Sequence, residues 1–186
     1  MKIVFTDFDG VLNSTPYTSE LLRKIRERPA GATASRKEEA LDETNVAILD
    51  ALCLEADAEL VVSSSWREVR TLAELWAMLL ARGFRGRVRG KTPTWVLGPY
   101  GAKAGPERGD EIQAWLSAAP NFGIVVDSFV ILDDQDDMAH LADRLVRTDP
   151  GFGLTVQDAS SAKKLLGSPQ PMLMKMTPRQ LEKFGG

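Results

Sequence analysis

Two aspartates one residue apart, Asp7 and Asp9, follow the apolar run Ile3-Val4-Phe5 and stand just before Gly10. A second acidic pair, Asp133-Asp134, ends another apolar run, Phe129-Val130-Ile131-Leu132. Between the two, Leu60-Val61-Val62 leads into Ser63-Ser64-Ser65. A carboxylate can attack phosphorus or move a proton, and a hydroxyl can donate to a phosphate oxygen. Carboxylates crowded together resist ionisation unless a cation joins them. Oxygen donors without His or Cys suit a hard divalent ion, which points to Mg²⁺. Such a site has a phosphate ester as its natural substrate, because the metal offsets the charge that would turn away an anionic nucleophile.

Roles follow from position. Asp7, at the end of its run, is the candidate nucleophile that takes the phosphoryl group. Asp9 is close enough to protonate the leaving oxygen and then to activate water. Gly10 permits the sharp turn that brings both carboxylates to one centre. Ser63, first of its row, is preferred to Ser64 as the hydroxyl that meets phosphate, helped by the backbone N–H groups that follow. Taken singly, an Asp at a strand end is a turn residue, three serines are a loop and an acidic pair is a solvated cap. Their occurrence at three successive strand ends favours the catalytic reading, since open α/β sheets place their sites there.

The elements that must carry these residues can be read from the apolar pattern. Residues 3–5, 60–62 and 129–132 read as short buried parallel strands, with another near Leu145 to Thr148. Helices are expected from Tyr17 to about Arg28, and from Asp42 or Thr44 with Val46, Leu49 and Leu52 on one face. A further one is capped by Thr71, carries Leu72, Leu75, Trp76, Leu79 and Leu80, and stops at Gly83. The last two run from Glu111 to Ala119, with Ile112, Trp115 and Leu116 inward, and from about Gln157 to Leu166. Arg85 to Pro106 should hold one short strand and a long loop. The segment Pro171 to Met176 should pack on the body, and Thr177-Pro178 could start a short helix. The alternation predicts an α/β fold, a parallel sheet with helices on both faces. The whole of 1–186 reads as one domain, without internal repeats.

Bulk properties narrow the function further. With 44% apolar and 26% charged residues the chain is globular rather than disordered. A net charge of −3 gives no support to a role in coating nucleic acid. The single cysteine, Cys53, sits in Ala51-Leu52-Cys53-Leu54; it reads as core and excludes an intrachain disulfide. No Cys/His cluster offers a structural zinc site, and His140, the only histidine, reads as packed or exposed. No apolar run is long enough for a membrane span, and the N-terminus reaches Asp7 too soon for a signal peptide, so the expected location is cytoplasmic.

Thr6-Asp7-Phe8-Asp9-Gly10-Val11-Leu12 resembles the first motif of the haloacid dehalogenase (HAD) superfamily of phosphatases. Leu60-Val61-Val62-Ser63 resembles the second and Val130-Ile131-Leu132-Asp133-Asp134 the fourth, in the right order over residues 2 to about 167. The resemblance implies a Rossmann-like sheet and phosphatase rather than dehalogenase chemistry, since Asp9 is present. It implies Mg²⁺ held by the Asp7 side chain, the Asp9 backbone carbonyl and the acidic pair, with Asp134 preferred to Asp133. Asp137 is a candidate for a supporting role at the metal, or a solvated residue. The third motif calls for a cation near the start of the helix before the acidic strand. Arg108 is the candidate, with Lys91 and Lys103 as alternatives; against it, cations are disfavoured at a helix N-terminus.

Ser64-Ser65-Trp66-Arg67 is similar to small HAD domains attached to RNA-repair proteins. Ser64, Gly10, Arg67 and Lys91 are candidate substrate-binding residues; for Arg67 the alternative is a surface charge paired with Glu68 or Asp110. About 55 residues between Asp7 and Ser63 leave room for at most a small cap, over about residues 14–40. In this superfamily open sites go with large substrates, so the expected partner is a phosphorylated nucleic-acid end or nucleotide. The basic run Arg82, Arg85, Arg87, Arg89 and Lys91, followed by Trp95, could bind phosphates, but a charged edge strand is the preferred reading. A sugar-phosphate phosphatase, a receiver-like signalling module and an inactive scaffold are the competing functions.

Overall fold

Short runs of Val, Ile, Leu and Phe, apolar on both faces of the backbone, have to be strands covered on both sides. In the computed structural model, which describes residues 1–27, 40–94 and 107–167, they are. The strands β1 (Lys2–Thr6), β2 (Ala58–Val62), β3 (Val88–Lys91), β4 (Ser128–Asp133) and β5 (Leu145–Arg147) form one sheet in the order β3-β2-β1-β4-β5. Each neighbouring pair is parallel. Helices α1 (Thr15–Glu27), α2 (Glu43–Ala56), α3 (Leu72–Ala81), α4 (Arg108–Ala118) and α5 (Val156–Gly167) surround it, giving a Rossmann-like α/β arrangement.

Alternation along the strands sorts the core into two layers. Val4, Leu60, Val62, Val130 and Leu132 face a cluster with Val46, Leu49 and Cys53 of α2, Leu75 and Leu79 of α3, and Leu166 of α5. Ile3, Phe5, Val61, Phe129 and Ile131 face Ile112 and Leu116 of α4 on the other side. Trp115 meets Phe5 edge-on there, with ring centroids 5.4 Å apart.

The ends of the elements follow local chemistry. Asp42 caps α2 by accepting from Thr44 N. Thr71 and Glu74 form a reciprocal capping box at the start of α3. Two expectations need correction. In α3 the buried face is Leu75, Met78 and Leu79, whereas Trp76 and Leu80 are 47% and 51% exposed, one step round the helix. Helix α4 begins at Arg108 rather than Glu111. Gly109 there lies so close to the Met138 carbonyl that a Cβ would stand 2.1 Å from its oxygen, so only a glycine lets the helix start dock there.

The small cap was expected over about 14–40; α1 falls within it, and residues 28–39 lie outside the described residues. Lys103, Trp95, the tail from Pro171 to Met176 and the short helix expected to start at Thr177-Pro178 lie outside them too. No helix among the described residues is long and apolar enough to cross a membrane.

Candidate active site

Register decides what meets at the carboxyl edge of the sheet. Thr6 of β1 pairs with Val62 of β2 on one side and Leu132 of β4 on the other. The next residues on the three strands, Asp7, Ser63 and Asp133, are therefore level. The ladder continues through them, with Asp7 N donating to Leu132 O at 2.9 Å and Ser63 N to Thr6 O at 3.0 Å.

Asp7, Asp133 and Asp134 each present a carboxylate oxygen, and these oxygens lie within 4.8 Å of one another. Asp133 is fully buried; Gln135 N donates to its Oδ1 at 3.0 Å, while Oδ2 has no hydrogen-bond partner. Asp134 is half-buried and takes a bond from Gln135 Nε2 at 2.8 Å. Burial, and then the Asp7 charge, push the Asp133 carboxyl up to about 7. Burial also raises Asp7, against the pull of Arg108, a hydrogen bond from Ser64 and one from Phe8 N. An acidic cluster with an orphaned buried oxygen fits a hard divalent cation.

Arg108, the first residue of α4, enters the same place. Its Nη2 is 3.6 Å from Asp7 Oδ2 and its Nη1 3.8 Å from Asp133 Oδ2, and it donates to the Ser63 carbonyl. Burial works against the charge on Arg108, and Asp7, Asp133, Asp137 and Glu111 outweigh it. The unfavourable position at a helix N-terminus is thus offset by carboxylates in front of it. Gly109 N donates to the Asp137 carbonyl at 3.1 Å, which ties this helix start to the acidic loop; the Asp137 side chain is exposed.

The hydroxyls divide. Ser63 Oγ is fully buried without a hydrogen-bond partner, whereas the Ser64 side chain hydrogen-bonds Asp7. Gly10 has φ +72°, and a Cβ there would come within 2.7 Å of Asp134 Cγ. Thr148 Oγ1 donates to the Gly10 carbonyl at 2.9 Å and holds the turn from β5.

Arg67 is not the surface charge offered as its alternative reading. Its side chain is 1% exposed, paired with Glu111 rather than Glu68 or Asp110, and it donates to the Ser63 carbonyl. It sits beneath the acidic cluster as a brace between β2 and α4. Lys91 donates to the Arg67 and Arg70 carbonyls at 2.8 and 3.0 Å, so its ammonium fixes the turn after β2. The rest of the basic run is balanced across the fold: Arg82 pairs with Glu43, Arg85 with Asp50, and Arg87 and Arg89 with Glu59. This matches the reading as a charged edge strand, since β3 is the sheet's edge.

Sequence reasoning missed what holds Asp9. Its carboxylate does not join the cluster's close contacts. It accepts from Asn13 Nδ2 at 3.0 Å and from Trp66 Nε1 at 2.7 Å. A tryptophan directly after a strand-end polar row, with an N–H that needs an acceptor, was the available signal.

A parallel sheet with an aspartate-bearing central strand, an acidic pair on its neighbour and a cation on the intervening helix define a HAD-like hydrolase. A family described as the HAD domain in Swiss Army Knife RNA repair proteins matches residues 3–159, and the chain belongs to that family. Membership supports a phosphohydrolase of the HAD type. No curated protein and no solved structure matches the chain.

Proposed function

We propose that the protein is a Mg²⁺-dependent phosphomonoester hydrolase that works through an aspartyl-phosphate on Asp7 and acts on nucleic-acid ends or nucleotides. The observation that carries the chemistry is the convergence of Asp7, Asp133 and Asp134 within 4.8 Å, with Arg108 3.6 Å from Asp7. The family's description, which names RNA repair, supports the substrate class.

Asp7, Asp133 and Asp134 would hold the ion. When bound, Mg²⁺ supplies charge compensation for the phosphate and for the crowded carboxylates. Asp7 Oδ forms a bond to phosphorus as the bond to the leaving oxygen breaks, and Asp9 gives that oxygen its proton. Arg108 favours the ionised form of Asp7 against its burial and offers donors to the phosphoryl oxygens as charge spreads over them. Water then attacks phosphorus, Asp9 takes the proton back, and Asp7 leaves as carboxylate with inorganic phosphate as product. Ser64, bonded to Asp7, and Ser63 beside it line the same strand end.

The test is phosphate release from an aryl phosphate, 3′- and 5′-phosphorylated oligonucleotides, nucleotides and sugar phosphates, with and without Mg²⁺. Release that requires Mg²⁺ and falls to background in Asp7→Asn is the expected result, with an oligonucleotide or nucleotide the best substrate. A sugar phosphate as best substrate would remove the nucleic-acid assignment. Equal inertness of wild type and Asp7→Asn on every ester would remove the enzyme.

A further inference from the structure

Asp9 is the exposed carboxylate of the site, yet both of its oxygens are engaged from different loops. Asn13 reaches Oδ1 from within the turn after β1, and Trp66 reaches Oδ2 from the turn after β2, at 3.0 and 2.7 Å. The indole is itself held in place. It packs on Phe8 with ring centroids 5.5 Å apart at 72°, and the Arg70 guanidinium lies 5.4 Å from its centroid. Lys91 in turn anchors the carbonyl of Arg70 at 3.0 Å. A short acidic side chain on an exposed turn would otherwise sample several staggered rotamers. Proton transfer to a leaving oxygen needs hydrogen-bond reach, and a misplacement of about 1 Å can cost on the order of 100-fold.

We infer that Trp66 is a positioning residue: its indole N–H fixes the rotation of the Asp9 carboxyl so that it meets the leaving oxygen. The inference rests on the reading of Asp9 as proton donor. Each carboxyl oxygen has a second lone pair, so the two bonds from Trp66 and Asn13 leave room on Asp9 for the proton that it transfers. The device matters most for esters whose leaving group is a basic alkoxide, such as a sugar hydroxyl, which cannot depart without a proton. It matters least for a nitrophenolate, which leaves as a stable anion. The network therefore favours alkyl esters, and the bond that does so comes from the turn after β2.

Two substitutions separate the donor from the bulk. Trp66→Phe keeps an aromatic ring and removes the N–H. Trp66→His keeps a five-membered ring whose Nε2 stands the same number of bonds from Cβ as the indole Nε1. The measured quantity is the ratio of kcat/KM for nitrophenyl phosphate to that for a 3′- or 5′-phosphorylated nucleotide, whichever the wild type turns over. This parameter reports phosphoryl transfer and not the later hydrolysis. Trp66→Phe should raise the ratio by about tenfold or more, in the direction of Asp9→Asn, and Trp66→His should bring it back toward wild type. Equal losses on both esters in Trp66→Phe would overturn the inference, because a merely structural role does not distinguish leaving groups. If Trp66→Phe does not fold, Trp66→His decides alone: a ratio near wild type supports the role, and one matching Asp9→Asn overturns it. A wild type inert on both esters would overturn this inference, whereas the phosphatase reading falls only if every ester of the wider panel is inert.

Discussion

A methyl group added at Gly10 would land 2.7 Å from Asp134 Cγ, on a backbone already at φ +72°. Gly83 provides the comparison, with φ +88° and nothing within 4 Å of the same added atom. Gly83→Ala should cost about 1 kcal/mol from backbone strain alone. Gly10→Ala should cost more and, if Asp134 is a ligand as proposed, shrink the rise in Tm expected from Mg²⁺ in the wild type by displacing that carboxylate. Thermal unfolding of both variants with and without Mg²⁺ checks this; an undiminished Mg²⁺ effect in Gly10→Ala would show that Asp134 is not a ligand. At this scale the sequence exposed the turn at Gly10 and the reactive types at Asp7, Asp9 and Asp133, because strand ends concentrate chemistry in parallel sheets. It showed that the Trp66 N–H needs an acceptor but not that the acceptor is Asp9, since 57 residues separate them and only the sheet brings their loops together.

Helix α4 delivers two opposite charges to one place, Arg108 to the carboxylates and Glu111 to Arg67. Burial depresses the Arg67 pKa and raises that of Glu111, so desolvation works against both charges despite their attraction. Removing one partner leaves the other buried alone. Arg67→Met and Glu111→Leu should each lower stability by about 3 kcal/mol, and the double variant should lose less than the sum of the two. Urea unfolding of the four proteins reads the coupling; strict additivity would mean that the pair is not an energetic unit. The apolar spacing that marks this helix begins only at Ile112, which is why the sequence reading starts it at Glu111, three residues late. Its glycine is dictated by the Met138 backbone, a contact made across the fold. Helices α2 and α5 were legible because their apolar spacing is set by the same core that buries them.

The parallel sheet divides the interior into two layers, and Cys53 lies in the larger one, 1% exposed. Burial, with a smaller push from Asp50, moves its thiol up to about 12 from 9.0. The folded state thus keeps its proton where the unfolded chain loses it, so stability conferred by the protonated thiol falls as pH rises above about 9. Native protein should resist a thiol reagent at pH 8 and react at the rate of global unfolding, with urea accelerating both together. Rapid labelling without unfolding would show that the layer opens locally. The charge pattern was legible at this scale only in part. A basic run was visible, but its partners Glu43, Asp50 and Glu59 lie on other elements.

The order of strands in the sheet carries a last consequence, for biosynthesis. Of the strands in this sheet the central one is made before its neighbours, and the one that brings Asp133 is separated from it by more than a hundred residues. Pairings so distant in sequence form late, after the entropy of closing the intervening chain has been met. A ribosome that has released β1, β2 and α3 has therefore presented Asp7 with neither Arg108 nor the acidic pair beside it. On the function proposed above, activity should not precede emergence of β4. In refolding, recovery of turnover should trail the return of helical circular dichroism, a lag that stopped-flow mixing would resolve.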